Sequence, residues 1–541
     1  MGEGTSTVTR PAVASAGAAT LRRWAPFALV VLGWAALLPF VGHYGNPDGP
    51  SYAVVAERWL AGDLPAAVNG YWGPLLSWLA VPLLAVGVPA LTALRVVLLV
   101  GAVLLLFPLG ALCRRAGASA WATDVLLLAT APFLVYNALF GLYADVLMSA
   151  ALLRSLEVLL RPSEVRVRAA VSAGVWAGLA VLARSYAAPV ALVALPLAVL
   201  CQALLGPPGR VPTRRVPVLL RRALPAVAAA LAGLLVVVGA WAAALTAVYG
   251  TPTWSTAAGF NSALVAPGSA GNPFNVPGLY EPVRPEGFSA WEEPAELPVP
   301  VRDEYEGEGL GERDATGRLA LAVANGRIAL GSVLRRGAPF VLLALVALAA
   351  AARRREPPAA ALVAPLLTGA VAAGGLLLII AIERYLWFPI LTLVPAAAVG
   401  LDAFAVRPRW RLVVGVATVV TVTLTSLHGL LPRVGAHERV SVVAAALDEG
   451  LEGRAATVDD WQATHLLCFR VGCDYLGRPE ARDAAGIAEE LHAAEVDLLL
   501  VWAGDEDEVA GLETPDDGRL LTVYDVGAEG LRPRLAVGAG S

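Results

Sequence analysis

Long apolar stretches recur along the first four-fifths of this chain, broken mainly by arginine clusters, and they restrict the fold to a membrane bundle. A backbone inside hydrocarbon has to satisfy its own hydrogen bonds, which leaves helices or closed barrels. Helical spans need roughly 20 residues, and such segments occur at about 25–42, 91–112, 119–139, 142–160, 169–184, 187–205, 223–249, 337–352, 358–381, 386–405 and 412–431. Over 541 residues the chain is 57% hydrophobic and 16% charged, with a mean hydropathy of +0.66, outside the soluble globular range. Arg22 and Arg23 precede the first apolar run, and no small-residue cleavage site follows it, so this run is expected to stay as an anchor.

The basic residues orient the bundle. All 40 are Arg, and short cytoplasmic loops collect them. If the Pro-containing run 72–88 does not span, then Arg22/Arg23, Arg114/Arg115, Arg161/Arg166/Arg168, the Arg210–Arg222 group, Arg353–Arg355 and Arg407/Arg409/Arg411 fall on one side. The expected fold is an all-α polytopic membrane bundle of about eleven transmembrane helices, N-terminus inside, with a small α/β extracytoplasmic C-terminal domain. Its divisions are a cytoplasmic tail 1–24, a transmembrane domain 25–433 with outer loops 43–90 and 250–336, and the domain 434–541. Arg335 and Arg336 break the charge rule and are assigned to an interfacial helix. In the tail, Ala455–Val458, Val496–Trp502 and Leu520–Tyr524 read as strands, and Gln462–Val471 and Ala485–Ala494 as helices.

A net charge of −4 gives no reason to expect nucleic acid as a partner. His43, His428, His437, His465 and His492 lack metal-ligand spacing, so no metal residue is assigned, although a divalent cation stays open as a cofactor. Cys468 and Cys473 are compatible with a disulfide or with two free thiols. Chemistry is better sought among charges placed where they are costly. Asp48 sits between Pro47 and Gly49, directly after the first span and before a helical stretch, Ser51–Ala61, closed by Gly62. Locally it reads equally well as a turn or cap residue. Asp145 lies in the first turn of an apolar helix, where a carboxylate is rare unless it serves a site. Arg184 and Glu383-Arg384-Tyr385 end outward-going helices, and although such Arg residues often only snorkel, a guanidinium is also a fixed donor for phosphate oxygens.

Pro47-Asp48, Tyr52-Ala53, Arg58, Leu60-Ala61-Gly62-Asp63, Gly70-Tyr71-Trp72 and Pro74 together resemble the first outer loop of the GT-C superfamily of membrane glycosyltransferases. The similarity is to the branch of protein O-mannosyltransferases and the lipid A aminoarabinose transferase. Tyr143-Ala144-Asp145 is similar to the family's second acidic position, and Arg384-Tyr385 with Pro389 and Pro395 to its last conserved helix start. The resemblance covers roughly residues 25–430. It implies transfer of a sugar from a polyprenyl-phosphate carrier to an acceptor hydroxyl on the outer side of the membrane, the acceptor being an envelope glycan, lipid or protein. Carried over, Asp48 is the acid-base residue, assisted by Asp145; Arg184, Arg384 and Tyr385 bind the donor phosphate; and Tyr52, Tyr71 and Trp72 are acceptor- or sugar-binding residues. The chain departs from the pattern at Gly49, where relatives carry a second acid, and at Gly73-Pro74, where lipid A transferases have Lys-Pro. These departures shift the phosphate contact onto Arg and give no support to a lipid A acceptor.

Two other classes compete with this reading. A lipid or sugar transporter explains the helices and the outer Arg residues but not the first-loop motif, and should show broken helices meeting at mid-membrane. A non-catalytic scaffold presenting the C-terminal domain needs neither Asp.

Overall fold

The computed structural model describes residues 12–161, 166–205, 216–284, 287–305, 308–354, 359–404, 408–447, 451–502, 521–527 and 530–537. Arg210, Arg355, Arg407, Leu520 and the first eleven residues of the N-terminal tail lie outside them.

Each expected span is a helix. The chain opens with α1 (Ala12–Val41), which starts inside the expected tail, followed by the short α2 (Asp48–Ala61), α3 (Leu64–Ala67) and α4 (Pro74–Ala85). Then come α5 (Ala90–Arg115), α6 (Ala120–Phe140), α7 (Asp145–Leu159), α8 (Val167–Ala183), α9 (Ala187–Leu205) and α10 (Val216–Tyr249). A long loop holds α11 (Ala257–Ala263) and β1 (Gly278–Leu279), and the bundle ends with α12 (Ala315–Arg354), α13 (Ala360–Leu377), α14 (Trp387–Phe404) and α15 (Pro408–Leu430).

Among the described residues nine helices are long and apolar enough to cross a membrane: α1, α5, α6, α9, α10 and α12 to α15. The protein is a multi-pass membrane protein. With 12 residues, α4 reaches only about 18 Å at 1.5 Å per residue. The helices α7 and α8 have 15 and 17 residues, about 22 and 26 Å, short of a hydrocarbon core of about 30 Å. Both are packed into the bundle, α7 along almost its whole length.

The charged ends sort by pairing. Arg22 meets Asp124, Arg115 meets Glu157, and Arg411 meets Asp402, all at one end of the bundle. Asp145, at the start of the same helix that ends near Glu157, lies at the opposite end.

Two expectations are corrected. The last 22 residues assigned to the loop 250–336 are the first half of α12, a single 40-residue helix. Arg335 and Arg336 therefore lie inside this helix and not on a separate interfacial one; they stay there because both pair with Glu383.

The tail carries α16 (Glu438–Ala446), β2 (Arg454–Thr457), α17 (Trp461–Val471), β3 (Asp474–Arg478), α18 (Ala484–Ala493), β4 (Leu498–Trp502), β5 (Leu521–Gly527) and β6 (Gly530–Val537). The sheet order is β1-β3-β2-β4-β5-β6, with β3, β2, β4 and β5 parallel and both edges antiparallel. Its edge strand β1 comes from the long loop, and Ser289 of that loop bridges to Tyr475. Cys468 and Cys473 form a disulfide tying the end of α17 to the start of β3.

Candidate active site at the loop end of the bundle

The start of α2 places Asp48. Asn46 accepts from the Gly49 amide at 3.1 Å and donates to the Gly141 carbonyl at 2.7 Å, fixing the turn before α2 against the α6–α7 link. Asp48 is 4% exposed and does not cap the helix, whose N-cap is Pro47. Its carboxylate instead receives Arg384 Nη1 at 2.6 Å and lies 3.6 Å from Arg184 Nη2. Arg184 in turn donates through Nε to Asp145 at 3.0 Å, and the Tyr186 hydroxyl donates to the other Asp145 oxygen at 3.0 Å. The four charged residues singled out in the sequence thus form one ion network, assembled from α2, the start of α7, the end of α8 and the turn before α14.

Local packing accounts for the glycines at positions 49 and 73. A side chain at Gly49 would lie 2.5 Å from Leu142 Cδ1, and Leu142 itself holds a φ of 35°, a strained value for a bulky residue. A second acid there has to displace the Leu142 side chain. A side chain at Gly73 would lie 2.4 Å from the Leu182 carbonyl oxygen, so the first loop packs directly on the backbone at the end of α8. There the cationic side chain comes from Arg184, whose extended backbone (φ −147°, ψ 120°) turns it out of the helix.

Aromatic rings frame the guanidinium groups. Tyr143 lies 4.1 Å from the Arg384 guanidinium and 5.9 Å from that of Arg184, distances at which ring faces attract a cation. The Nη2 of Arg184 and the Nε of Arg384 are buried without a hydrogen bond. An unsatisfied donor on a buried cation is a place for an anionic ligand oxygen.

Two cavities meet at this network. One, of about 450 Å³, is lined by Arg184, Ser185, Tyr186, Tyr385 and Tyr71 at its polar end and by residues such as Leu192, Leu234, Val238 and Ile380 from α9, α10 and the segment after α13. The other, of about 890 Å³, is the more polar of the two and holds Asp48, Arg384, Tyr143, Trp291, Arg433 and Gln462 among its walls. Arg184 therefore faces the apolar cavity while Arg384 and Asp48 face the polar one. Asp145 is 0% exposed and lines neither. Tyr52 and Trp72, at 0% and 1% exposure, also line neither: Tyr52 lies under Arg184 at 6.0 Å, and Trp72 donates to the Trp291 carbonyl at 3.3 Å. Their rings pack beneath the site, because the loop 250–314 covers them.

That cover is fastened by residues the sequence reading did not single out. Arg58, within the first-loop motif, meets Glu292 at 2.6 Å, and Arg284 meets Glu293 at 2.7 Å, both acids being almost fully buried. Asn69 donates to the Glu292 carbonyl and accepts from the amides of Tyr71 and Trp72. Arg95, 1% exposed inside α5, donates to the carbonyls of Tyr44 and Leu139 and ties the first loop to the end of α6. An arginine within an apolar span was the signal available for it. Among the described residues no group of three or more His, Cys, Asp or Glu is placed to hold a metal ion.

No family model matches the sequence, and no curated protein does. Solved structures match along nearly its whole length. ArnT from Cupriavidus metallidurans bound to undecaprenyl phosphate aligns over 95% of this chain and 93% of its own, at 14% identity and a TM-score of 0.51. The apo state of ArnT from the same organism gives 0.49 at the same identity and coverage. The Archaeoglobus fulgidus oligosaccharyltransferase in apo form gives 0.45 at 13% identity, over 89% of this chain and 68% of that one. At 14% identity the likeness to ArnT is one of fold: a membrane helix bundle followed by a C-terminal domain.

Proposed function

We propose that the protein is a membrane glycosyltransferase that moves a sugar from a polyprenyl-phosphate carrier to an acceptor hydroxyl on the outer face of the membrane. One observation carries this reading: a single carboxylate, Asp48, stands between an apolar cavity ending in an arginine and a polar cavity open to the loop. The apolar cavity suits an isoprenoid chain, its phosphate meeting Arg184, Ser185 and Tyr186. The sugar then projects across the network toward Asp48, and the acceptor enters through the polar cavity.

In the proposed reaction Asp48 takes the proton of the acceptor hydroxyl, whose oxygen attacks the anomeric carbon. The bond from that carbon to the phosphate oxygen breaks, and the lipid phosphate leaves with the electron pair. The unsatisfied N–H groups of Arg184 and Arg384 are placed to stabilise the negative charge that develops. One displacement inverts the anomeric centre. Asp145 acts through Arg184, holding its fork in place, and is a positioning residue. A disulfide in the tail suits an oxidising compartment, which agrees with the outer placement of this end. The transporter reading is less well supported, since the network sits at helix ends and not at facing helix breaks near the midplane.

The test is turnover by purified protein in detergent with a panel of polyprenyl-phosphate sugars, following release of lipid phosphate and the anomer formed. Release with inversion is expected for at least one donor. If no donor is consumed and undecaprenyl phosphate does not bind, the reading fails.

A further inference from the structure

The polar cavity has a surplus of positive charge that the transfer chemistry leaves unused. Four guanidinium groups line it, those of Arg335, Arg336, Arg384 and Arg433, against two carboxylates, Asp48 and Glu383. The pairing is specific: Arg384 is on Asp48, while Arg336 at 2.8 Å and Arg335 at 3.8 Å share Glu383. Arg433 forms no ion pair among the described residues. It donates one bond, to the Tyr136 hydroxyl at 2.9 Å, and its guanidinium is framed by the rings of Tyr44 at 5.4 Å, Tyr136 at 5.8 Å and Phe140 at 5.8 Å.

This setting differs from a snorkelling helix end. Arg433 follows α15 in a short turn of 3-10 helix, and its head lies against three rings on the wall of a cavity that also contains Asp48. Rings hold the fork in one orientation without neutralising it. Its remaining N–H groups have no partner among the described residues, and planar guanidinium groups match phosphate and carboxylate oxygens.

We propose that Arg433 is a specificity-determining residue that recognises an anionic group, a phosphate or a carboxylate, on the acceptor saccharide or lipid that enters the polar cavity. The inference rests on the assignment of the polar cavity to the acceptor. It narrows the acceptor class to one carrying negative charge near the reacting hydroxyl, and Arg336, 4.8 Å from the same Tyr136 ring, is a second guanidinium on the same wall.

Binding to the purified full chain in detergent tests it, with glucose, glucose 6-phosphate, glucuronate, inorganic phosphate and undecaprenyl phosphate as probes. The wild type is expected to hold glucose 6-phosphate or glucuronate at least tenfold tighter than glucose. Arg433→Gln should remove that preference and Arg433→Lys should keep part of it, both leaving undecaprenyl phosphate affinity within about twofold. Tyr136→Phe, which frees the fork without discharging it, should weaken the preference to a lesser degree. Equal binding of glucose and both anions by the wild type overturns the proposal. So does loss of undecaprenyl phosphate affinity in Arg433→Gln, which would place the carrier phosphate at Arg433, or binding of inorganic phosphate as tightly as the charged sugars, which would leave no sugar recognition. Failure of undecaprenyl phosphate to bind any variant while the anion preference persists would reject the glycosyltransferase reading and keep the anion site.

Discussion

At the scale of single residues, the geometry turns an even choice at Asp48 into an asymmetric one. A cap would point its oxygen at backbone amides, whereas this carboxylate binds two arginines from distant segments. Asp48→Asn keeps the shape but loses the base, and turnover of the polyprenyl-phosphate donor is expected to fall by about a hundredfold or more; near-normal turnover would remove Asp48 from the reaction. The two arginines should separate in their effects because they face different cavities. Arg184→Gln is expected to weaken undecaprenyl phosphate binding by about tenfold or more, as loss of a charge-assisted contact does, while Arg384→Gln lowers turnover with a smaller change in that affinity. Equal losses of affinity would mean that both touch the carrier phosphate. These four charged residues were legible in the sequence because charge at the ends of apolar helices stands out against an otherwise apolar background, and a carboxylate within such a helix is rare unless it serves a site. Tyr52 and Trp72 were not legible as packing residues, since motif spacing does not show which rings a distant loop will cover.

At the scale of elements, short helices and tight links set the site. The start of α7 and the end of α8 bring Asp145 and Arg184 together, and the Gly49 and Gly73 contacts hold the first loop against them. Gly49→Asp introduces the second acid that the sequence resemblance led one to expect, yet it is expected to reduce activity, because the new side chain must displace Leu142; higher turnover would show that the link yields. The loop 250–314 is clamped by Arg58–Glu292 and by Arg284, which pairs with Glu293 and donates to the carbonyls of Pro65, Ala66 and Val68. Removing one partner leaves a buried charge, typically costing about 3–5 kcal/mol. Glu292→Gln should therefore increase hydrogen exchange in residues 43–73, and unchanged exchange would show that the clamp is not needed for docking. Helix positions were legible from apolar length alone. The first half of α12 was not: Arg335 and Arg336 break the charge rule and read as an interfacial helix, and the partner that tolerates them, Glu383, is remote in sequence.

Across the whole molecule, bundle, loop and tail form one continuous structure. The tail strands at 454–457 and 498–502 were readable from β-branched and apolar runs, but β1 was hidden: two residues inside a loop give no periodicity, and only pairing with β3 makes them a strand. The junction between loop and tail is packed around His465, which is 0% exposed, lies 4.9 Å from the Phe288 ring of the loop and has neither ring nitrogen hydrogen-bonded. Burial pushes its imidazole down from 6.5 to about 3. The sign follows from proton binding: between those two values the opened chain takes up a proton that the folded chain refuses, so acid favours opening. Stability of the junction is full above about pH 6.5 and is expected to fall by up to about 1.4 kcal/mol for each pH unit below it. Hydrogen exchange of peptides covering 454–502 should rise as the pH is lowered from 7 to 4.5, after correction for intrinsic rates. His465→Phe, which fills the same space among Phe288, Trp461 and Tyr475 without a titrating group, should flatten this dependence. An equally steep rise in the His465→Phe protein would assign the acid sensitivity to other groups and leave the histidine as neutral packing.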